Sequence, residues 1–146
     1  MVPRGVLDAG DANFFGIVAG HFNADPFIDI ATAEGAAFMG DPVNLVLRHG
    51  HGGSGFSAPV RLSGPLRSFV AGDFDSDGRT DLVTTGFPGA DGSRMHLYRQ
   101  LPGGLYDAPR ALSAAGNMNH LDRLDSDGDG DDDLVALADG VVSGTN

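Results

Sequence analysis

The stretch DSDGDGDDDLV at residues 125–135 decides the fold, because it repeats DFDSDGRTDLV at residues 73–83. Both stretches set aspartates at alternate positions and run directly into Leu-Val. A third copy, HFNADPFIDIA at residues 21–31, precedes the 73–83 copy by the same 52 residues. Self-similarity at a fixed spacing indicates an array of structural repeats.

A second shared element supports the same repeat. GFSAPVRLSG at 55–64 follows the first copy, GLYDAPRALSAAG at 104–116 follows the second, and PRGVLDAG at 3–10 resembles both. The chain is therefore predicted to be one repeat domain whose units span roughly 11–63, 64–115 and 116–146. Residues 1–10 are then the last strand of a preceding unit.

Each unit is predicted to be all-β. The middle unit offers four strands, at 67–74, 81–87, 94–100 and 105–112, separated by the Asp-rich loop and by Gly- and Pro-rich turns at 88–93 and 102–104. Pro109 favours an edge position for the fourth strand. No segment has a sustained helical period, so helix is expected to be scarce. Four strands in about 50 residues is the size of a propeller blade.

The charge balance excludes two classes of partner. The 146 residues include 20 acidic and 9 basic ones, for a net charge of -11. Nucleic acid and anionic membrane surfaces both require a basic face, so neither is an expected partner. There is no cysteine for a disulfide or thiolate site, and no apolar run is long enough to span a membrane.

The aspartate loops have the spacing D-x-D-x-D-G-x-x-D, which can direct several oxygens at one centre. Hard oxygen ligands in this number suit Ca²⁺. The predicted ligands in the second unit are Asp73, Asp75, Asp77, Asp81 and the carbonyl oxygen of Arg79. Those in the third unit are Asp125, Asp127, Asp129, Asp133 and the carbonyl oxygen of Asp131. We call residues 21–29, 73–81 and 125–133 loops 1, 2 and 3.

Two other kinds of loop share part of this pattern. An EF-hand needs Glu at the twelfth loop position, where the chain has Thr84 and Ala136, and it needs flanking helices rather than strands. An isolated D-x-D-G is more often a solvated acidic turn, but two copies in one register favour calcium.

Loop 1 departs from the pattern. Its ligand positions hold a mixed set, His21, Asn23, Asp25 and Asp29, with Pro26 in place of Gly. Imidazole suits softer metals than Ca²⁺. We interpret loop 1 as degenerate and held by packing of Phe27 and Ile28, so two calcium ions per chain are expected.

No other motif carries recognisable chemistry. His49 and His51 lie among three glycines and are predicted to belong to the turn between the third and fourth strands rather than to a metal site. His96 and His120 have no partner visible in sequence. Ser54 is not a nucleophile elbow, because Phe56 stands where the closing Gly of G-x-S-x-G belongs. The chain is therefore not expected to be an enzyme.

The stretches 70–83, 125–135 and, more weakly, 18–32 resemble the FG-GAP/VCBS repeats of integrin α-subunit propellers and of many bacterial extracellular proteins. The segment GSGFSAPV at 53–60 is similar to the Gly-Phe turn of that family. The resemblance implies a β-propeller with Ca²⁺ in the loop that joins the first two strands of a blade. It also implies an extracellular or periplasmic location, although residues 1–10 lack the apolar stretch of a signal peptide.

Three blades are too few to close a ring. We expect two chains to complete one ring as a dimer, with residues 1–10 of one chain completing the third unit of the other. The alternatives are a piece of a longer protein and an open stack of three blades.

Three functions follow from the resemblance. The first is a calcium-stabilised binding or scaffold module for protein interaction or adhesion. The second is a carbohydrate-binding lectin, which the absence of Trp and the presence of only Tyr98 and Tyr106 make less favourable. The third is part of a polysaccharide-degrading enzyme.

Overall fold

The computed structural model describes residues 13–35, 43–52, 55–62, 66–86, 94–112 and 118–138. These residues form an all-β structure of antiparallel strands, and no helix occurs among them. The leading strand predicted within 3–10, the turn at 88–93, Ser54 and the end of the third unit after residue 138 lie outside the described residues.

The first four-stranded sheet has the order β1-β2-β3-β6. Its strands are β1 (Asn13–Gly20), β2 (Asp29–Gly35), β3 (Asn44–Arg48) and β6 (Val60–Leu62), and a short hairpin extends it through β4 (Gly50–His51) and β5 (Gly55–Phe56). The segment around His49 and His51, predicted as a turn, is thus a turn with a short paired extension.

The second sheet repeats this arrangement with the order β12-β9-β8-β7. Its strands are β7 (Ser68–Gly72), β8 (Asp81–Thr85), β9 (Met95–Tyr98) and β12 (Arg110–Leu112), with a hairpin of β10 (Gln100–Leu101) and β11 (Leu105–Tyr106). The predicted fourth strand at 105–112 is therefore two strands. Pro109 lies just before β12, which is the edge strand as predicted.

A two-stranded ribbon of β13 (Met118–Leu124) and β14 (Asp133–Ala138) follows. The first hairpins of the three units share one register, since each pairs residues at equivalent positions. The pairs are Ile17 with Thr32, Phe69 with Thr84, and Leu121 with Ala136. The spacing of 52 residues in the sequence is thus a repeat of strand pairing as well.

Two apolar layers hold the sheets together. Leu82 packs in the layer between the first and second sheets, with Leu47 and Phe22. Its neighbour Val83 packs in the layer between the second sheet and the ribbon, with Leu121. The second sheet is thus buried on both faces, which explains why β8 lacks the apolar and polar alternation of a half-exposed strand.

The described residues do not close into a barrel or a ring. No helix in this part of the chain is long and apolar enough to cross a membrane.

Candidate metal centre

Each of the three loops joins the first two strands of its unit. Loop 1 connects β1 to β2, loop 2 connects β7 to β8, and loop 3 connects β13 to β14. The first ligand position of each loop follows the end of a strand directly, and the last begins the next strand. The pairing of the two strands therefore fixes the positions of the first and last predicted ligands of each loop.

Loop 2 brings three of its predicted ligands together. One carboxylate oxygen from each of Asp73, Asp75 and Asp77 lies within 4.8 Å of the other two. The Asp73 carboxylate accepts the backbone N–H groups of Asp77 at 3.1 Å and of Gly78 at 2.8 Å, and these bonds curl the loop. Gly78 has a φ of +77°, a conformation that glycine adopts without a steric penalty.

The loop 2 carboxylates are only partly neutralised by arginines. Asp75 Oδ2 pairs with Arg99 Nε at 3.1 Å, and Asp77 pairs with Arg79. Asp75 Oδ1 is buried and has no hydrogen-bond partner. Burial and the neighbouring Asp77 carboxylate raise the pKa of Asp75, while the charge of Arg99 opposes that rise. The cluster thus retains an oxygen that nothing in the described structure satisfies.

Asp81, the last predicted ligand of loop 2, lies apart from the triad and is fully buried. Its Oδ1 accepts the backbone N–H of Gln100 at 2.8 Å, while its Oδ2 has no hydrogen-bond partner among the described residues. Burial raises the pKa of Asp81 and the charges of Asp75 and Asp77 raise it further, while the nearby backbone N–H groups of Gln100 and Phe74 oppose the rise. A buried carboxylate with an unsatisfied oxygen, subject to the charges of Asp75 and Asp77, is costly without a cation.

Loop 3 gathers a different subset of the equivalent positions. One oxygen from each of Asp125, Asp127 and Asp133 lies within 4.8 Å of the other two. Asp125 accepts the N–H groups of Gly128 at 2.6 Å and Gly130 at 3.2 Å, as Asp73 does from its own loop.

The two glycines of loop 3 have φ values of +81° and +96°. At the position equivalent to Gly128, loop 2 has Ser76, whose φ is +61°. The left-handed turn is thus common to both loops even where the residue differs.

The remaining loop 3 aspartates make other contacts. Asp129 accepts the backbone N–H of Asp131 at 3.0 Å, and the Asp131 carboxylate accepts the Ser76 hydroxyl of loop 2. Hydrogen bonds from the hydroxyl and N–H of Ser126 lower the pKa of Asp133. The pKa of Asp133 is thus shifted in the opposite direction to that of its buried equivalent Asp81.

The Asp25 and Asp29 carboxylates of loop 1 are hydrogen-bonded within the loop or to the N–H of Gly50 on β4. The Asn23 side-chain amide donates to Asp25 at 2.8 Å and its oxygen accepts the Asp25 N–H at 2.8 Å, while Asp25 accepts the Phe27 N–H at 2.9 Å. Asp29 is fully buried, and its two oxygens accept the N–H groups of Phe22 at 2.7 Å and Gly50 at 2.8 Å. In the described part of the chain, only loops 2 and 3 gather three possible metal ligands.

The expectation that Phe27 and Ile28 hold loop 1 by packing is wrong. These side chains are 40% and 55% exposed, although the Phe27 ring lies over Gly52. The apolar side chain that loop 1 buries is instead Phe22, which has no exposed surface. The sequence places an aromatic residue at both positions, and only the stacking of the sheets distinguishes them.

A cleft of about 290 Å³ lies between loop 1, loop 2 and the β10–β11 hairpin. Its polar lining includes His21, Asn23, Asp25, Arg79 and Gln100. Arg79 Nε donates to the Gln100 carbonyl oxygen at 2.8 Å, which fixes the guanidinium at the cleft wall. Among the described residues, no Phe or Tyr side chain lines the cleft.

Sequence reasoning missed three residues that shape these loops: Arg99, Gln100 and Asp132. Arg99 and Gln100 lie in a distant hairpin segment, so no local pattern marks them. Asp132 is the middle residue of the run DDD, and its position between two predicted ligands was the one available signal.

Residues 73–136 match the model of a known family, the FG-GAP-like repeat. The match begins at loop 2, covers strands β8 to β13 and loop 3, and ends within β14. Comparisons with curated proteins and with solved structures found no match.

Proposed function

Since the segment 73–136 belongs to the FG-GAP-like repeat family, we propose that the chain is a calcium-stabilised binding module. One observation carries the proposal. Two loops at equivalent positions each gather three carboxylate oxygens within 4.8 Å, and loop 2 retains unsatisfied buried oxygens on Asp75 and Asp81. A set of hard, anionic oxygens on a Gly-bent loop fits Ca²⁺ better than a transition metal.

The residues that would hold the ions are the aspartates of each loop. In loop 2 these are Asp73, Asp75 and Asp77 with Asp81 behind them, and in loop 3 they are Asp125, Asp127 and Asp133, joined by Asp129. Each ion would supply positive charge that offsets the repulsion among the carboxylates. Because each loop joins two strands, the ion would stabilise the hairpin, and its binding energy would add to folding stability.

The expected partner is a protein or a glycan outside the cell. FG-GAP-like repeats are typical of extracellular proteins. A net charge of -11 favours a partner that presents basic groups. The carbohydrate alternative is the weaker one, since no Phe or Tyr among the described residues lines the cleft beside loop 1, and sugar rings usually stack on such faces.

The proposal includes a second copy of the chain, because the ribbon leaves an apolar face exposed. Leu137 is 63% exposed, whereas its equivalents Ala33 and Thr85 in the two sheets are 2% and 0% exposed. Those equivalents are covered by the next unit, so a further unit of the same kind would cover Leu137. A head-to-tail dimer that closes one propeller ring would supply it.

Native mass spectrometry in calcium and after chelation tests the proposal. We expect a dimer carrying two ions per chain, and we expect Asp77→Ala and Asp127→Ala each to bind one ion fewer per chain. Asp25→Ala, at the loop 1 position equivalent to Asp77, is the matched control and should keep both ions. A wild-type mass without calcium would overturn the calcium proposal, and a monomer with two ions would overturn the ring alone.

A further inference from the structure

Loops 2 and 3 touch each other at a residue that is not itself a predicted ligand. Asp132 stands between Asp131 and Asp133. Its Oδ2 accepts the backbone N–H of Asp73 at 3.0 Å, and its own N–H donates to the Asp73 carbonyl oxygen at 3.2 Å. The peptide groups on both sides of Asp73, the first ligand of loop 2, are therefore held by one residue of loop 3.

Further contacts tie the two loops together. The Ser76 hydroxyl in loop 2 donates to the carboxylate of Asp131, and Arg123 on β13 pairs with Asp132. Gly72 precedes Asp73, and a Cβ at this position would lie 2.7 Å from Asp132 Oδ2. A side chain at residue 72 would thus displace the Asp132 carboxylate from the Asp73 N–H, so the absence of one allows this contact.

The two hydrogen bonds between Asp132 and the Asp73 backbone matter because Asp73 organises loop 2. Its carboxylate accepts two backbone N–H groups of the loop, those of Asp77 and Gly78. The same carboxylate belongs to the loop 2 triad. Any shift of the Asp73 backbone would move both the loop and one proposed ligand.

The two loops differ in their need for a cation. Residues 125–133 contain six aspartates and no basic residue, whereas residues 73–81 contain four aspartates and Arg79. Outside the loops, Arg99 adds one positive charge beside loop 2 and Arg123 adds one beside loop 3, so loop 3 keeps the larger excess of carboxylates. Since ligand charge sets the affinity of a calcium loop, loop 3 should take up its ion first.

We propose that Asp132 is a positioning residue that couples the two cation sites. Calcium in loop 3 orders Asp132, which holds Asp73 in place and raises the affinity of loop 2, so calcium binds with positive cooperativity. By reciprocity, calcium in loop 2 raises the affinity of loop 3 by the same factor. This inference rests on the proposed calcium binding.

The test is calcium titration by isothermal calorimetry of the full chain and a set of variants. Asp127→Ala removes the loop 3 ion and leaves Asp132 in place. We expect it to weaken the remaining loop 2 site by about 5- to 150-fold, the usual range of coupling between sites. With Asp132→Ala both ions still bind, but without cooperativity, and adding Asp127→Ala no longer changes the affinity of loop 2.

Asp132→Asn keeps a side-chain oxygen for the Asp73 N–H and removes the charge, so it should retain the cooperativity that Asp132→Ala loses. It also supplies a result if Asp132→Ala fails to fold, which circular dichroism of the same samples would reveal. Asp122→Ala removes one carboxylate from β13 outside the loops and controls for net charge.

The outcomes separate this inference from the calcium proposal. Independent calcium binding at the two sites of the wild type would overturn the coupling alone. The same would follow if Asp127→Ala weakened calcium binding at loop 2 equally in the wild type and in the Asp132→Ala variant. The absence of calcium binding by the wild type would overturn both.

Discussion

Asp81 and Asp29 occupy equivalent positions 52 residues apart, and both are fully buried. They differ in one hydrogen bond. Asp29 accepts an N–H group on each oxygen, at 2.7 and 2.8 Å, whereas Asp81 accepts one on Oδ1 and leaves Oδ2 without a partner. If that free oxygen serves a cation, replacement of each residue by Asn should have different effects in calcium and in chelator.

In chelator, Asp81→Asn should be neutral or stabilising. The amide oxygen can keep the Gln100 N–H, and the substitution removes a buried charge that Asp75 and Asp77 repel. In excess calcium the same variant should lose the stabilisation that the ion supplies. That loss is about 2.7 kcal/mol when calcium stands at 100 times its dissociation constant.

Asp29→Asn is the matched control. Its amide group must face one of the two N–H donors, which leaves a buried donor unsatisfied at a cost of about 1–3 kcal/mol. Because loop 1 gathers no triad, that cost should be the same with and without calcium.

The assay is urea unfolding of wild type and both variants, in excess calcium and in chelator. The decisive quantity is the change in unfolding free energy on substitution, compared between the two conditions. Equal changes for Asp81→Asn in calcium and in chelator would refute the assignment of this carboxylate to the cation site.

Two further predictions concern the first sheet and the β10–β11 hairpin, which packs against loop 1. Burial alone would raise the pKa of Glu34, but hydrogen bonds from Arg48 and Thr32 and the charge of Arg48 leave it below its ordinary value. The ionised Glu34 therefore stabilises the folded state above its ordinary pKa, and this stabilisation is lost as the pH falls through the lowered pKa of the folded state. Glu34→Gln should therefore make the melting temperature depend less on pH on the acid side. A melting temperature that depends on pH as in the wild type would contradict this. Gly104→Ala should destabilise more than Gly103→Ala in urea unfolding. Both glycines have positive φ, at a cost of about 1–2 kcal/mol for alanine, but only at Gly104 would a Cβ lie 2.6 Å from the Asn23 backbone. Equal midpoints would show that this close approach does not matter.

Much of the fold follows from local sequence patterns. Strand alternation and turn residues predict the strands of the second sheet, and Pro109 predicts its edge. The repeat predicts that each aspartate loop joins two paired strands, as the structure shows. These features depend on residues close together in the chain and on a hairpin register that a short loop determines. They can therefore be predicted from the sequence alone.

The candidate site was predictable only in part, because its details depend on contacts between units. The ligand pattern names ten positions, but which three carboxylates meet differs between loops 2 and 3. Phe27 was expected to hold loop 1 by packing, but Phe22 does so instead. The apolar layer between the first and second sheets includes the Phe22 ring and not the Phe27 ring.

The sequence by itself determined the repeat of 52 residues, the antiparallel hairpins and the placement of aspartates in the loops that join them. Only the tertiary structure decided that Asp81 is buried with a free oxygen and that Asp132 holds Asp73. Asp132 and Asp73 are 59 residues apart in the chain. Side-chain packing between stacked sheets brings them together, and no local periodicity records that packing.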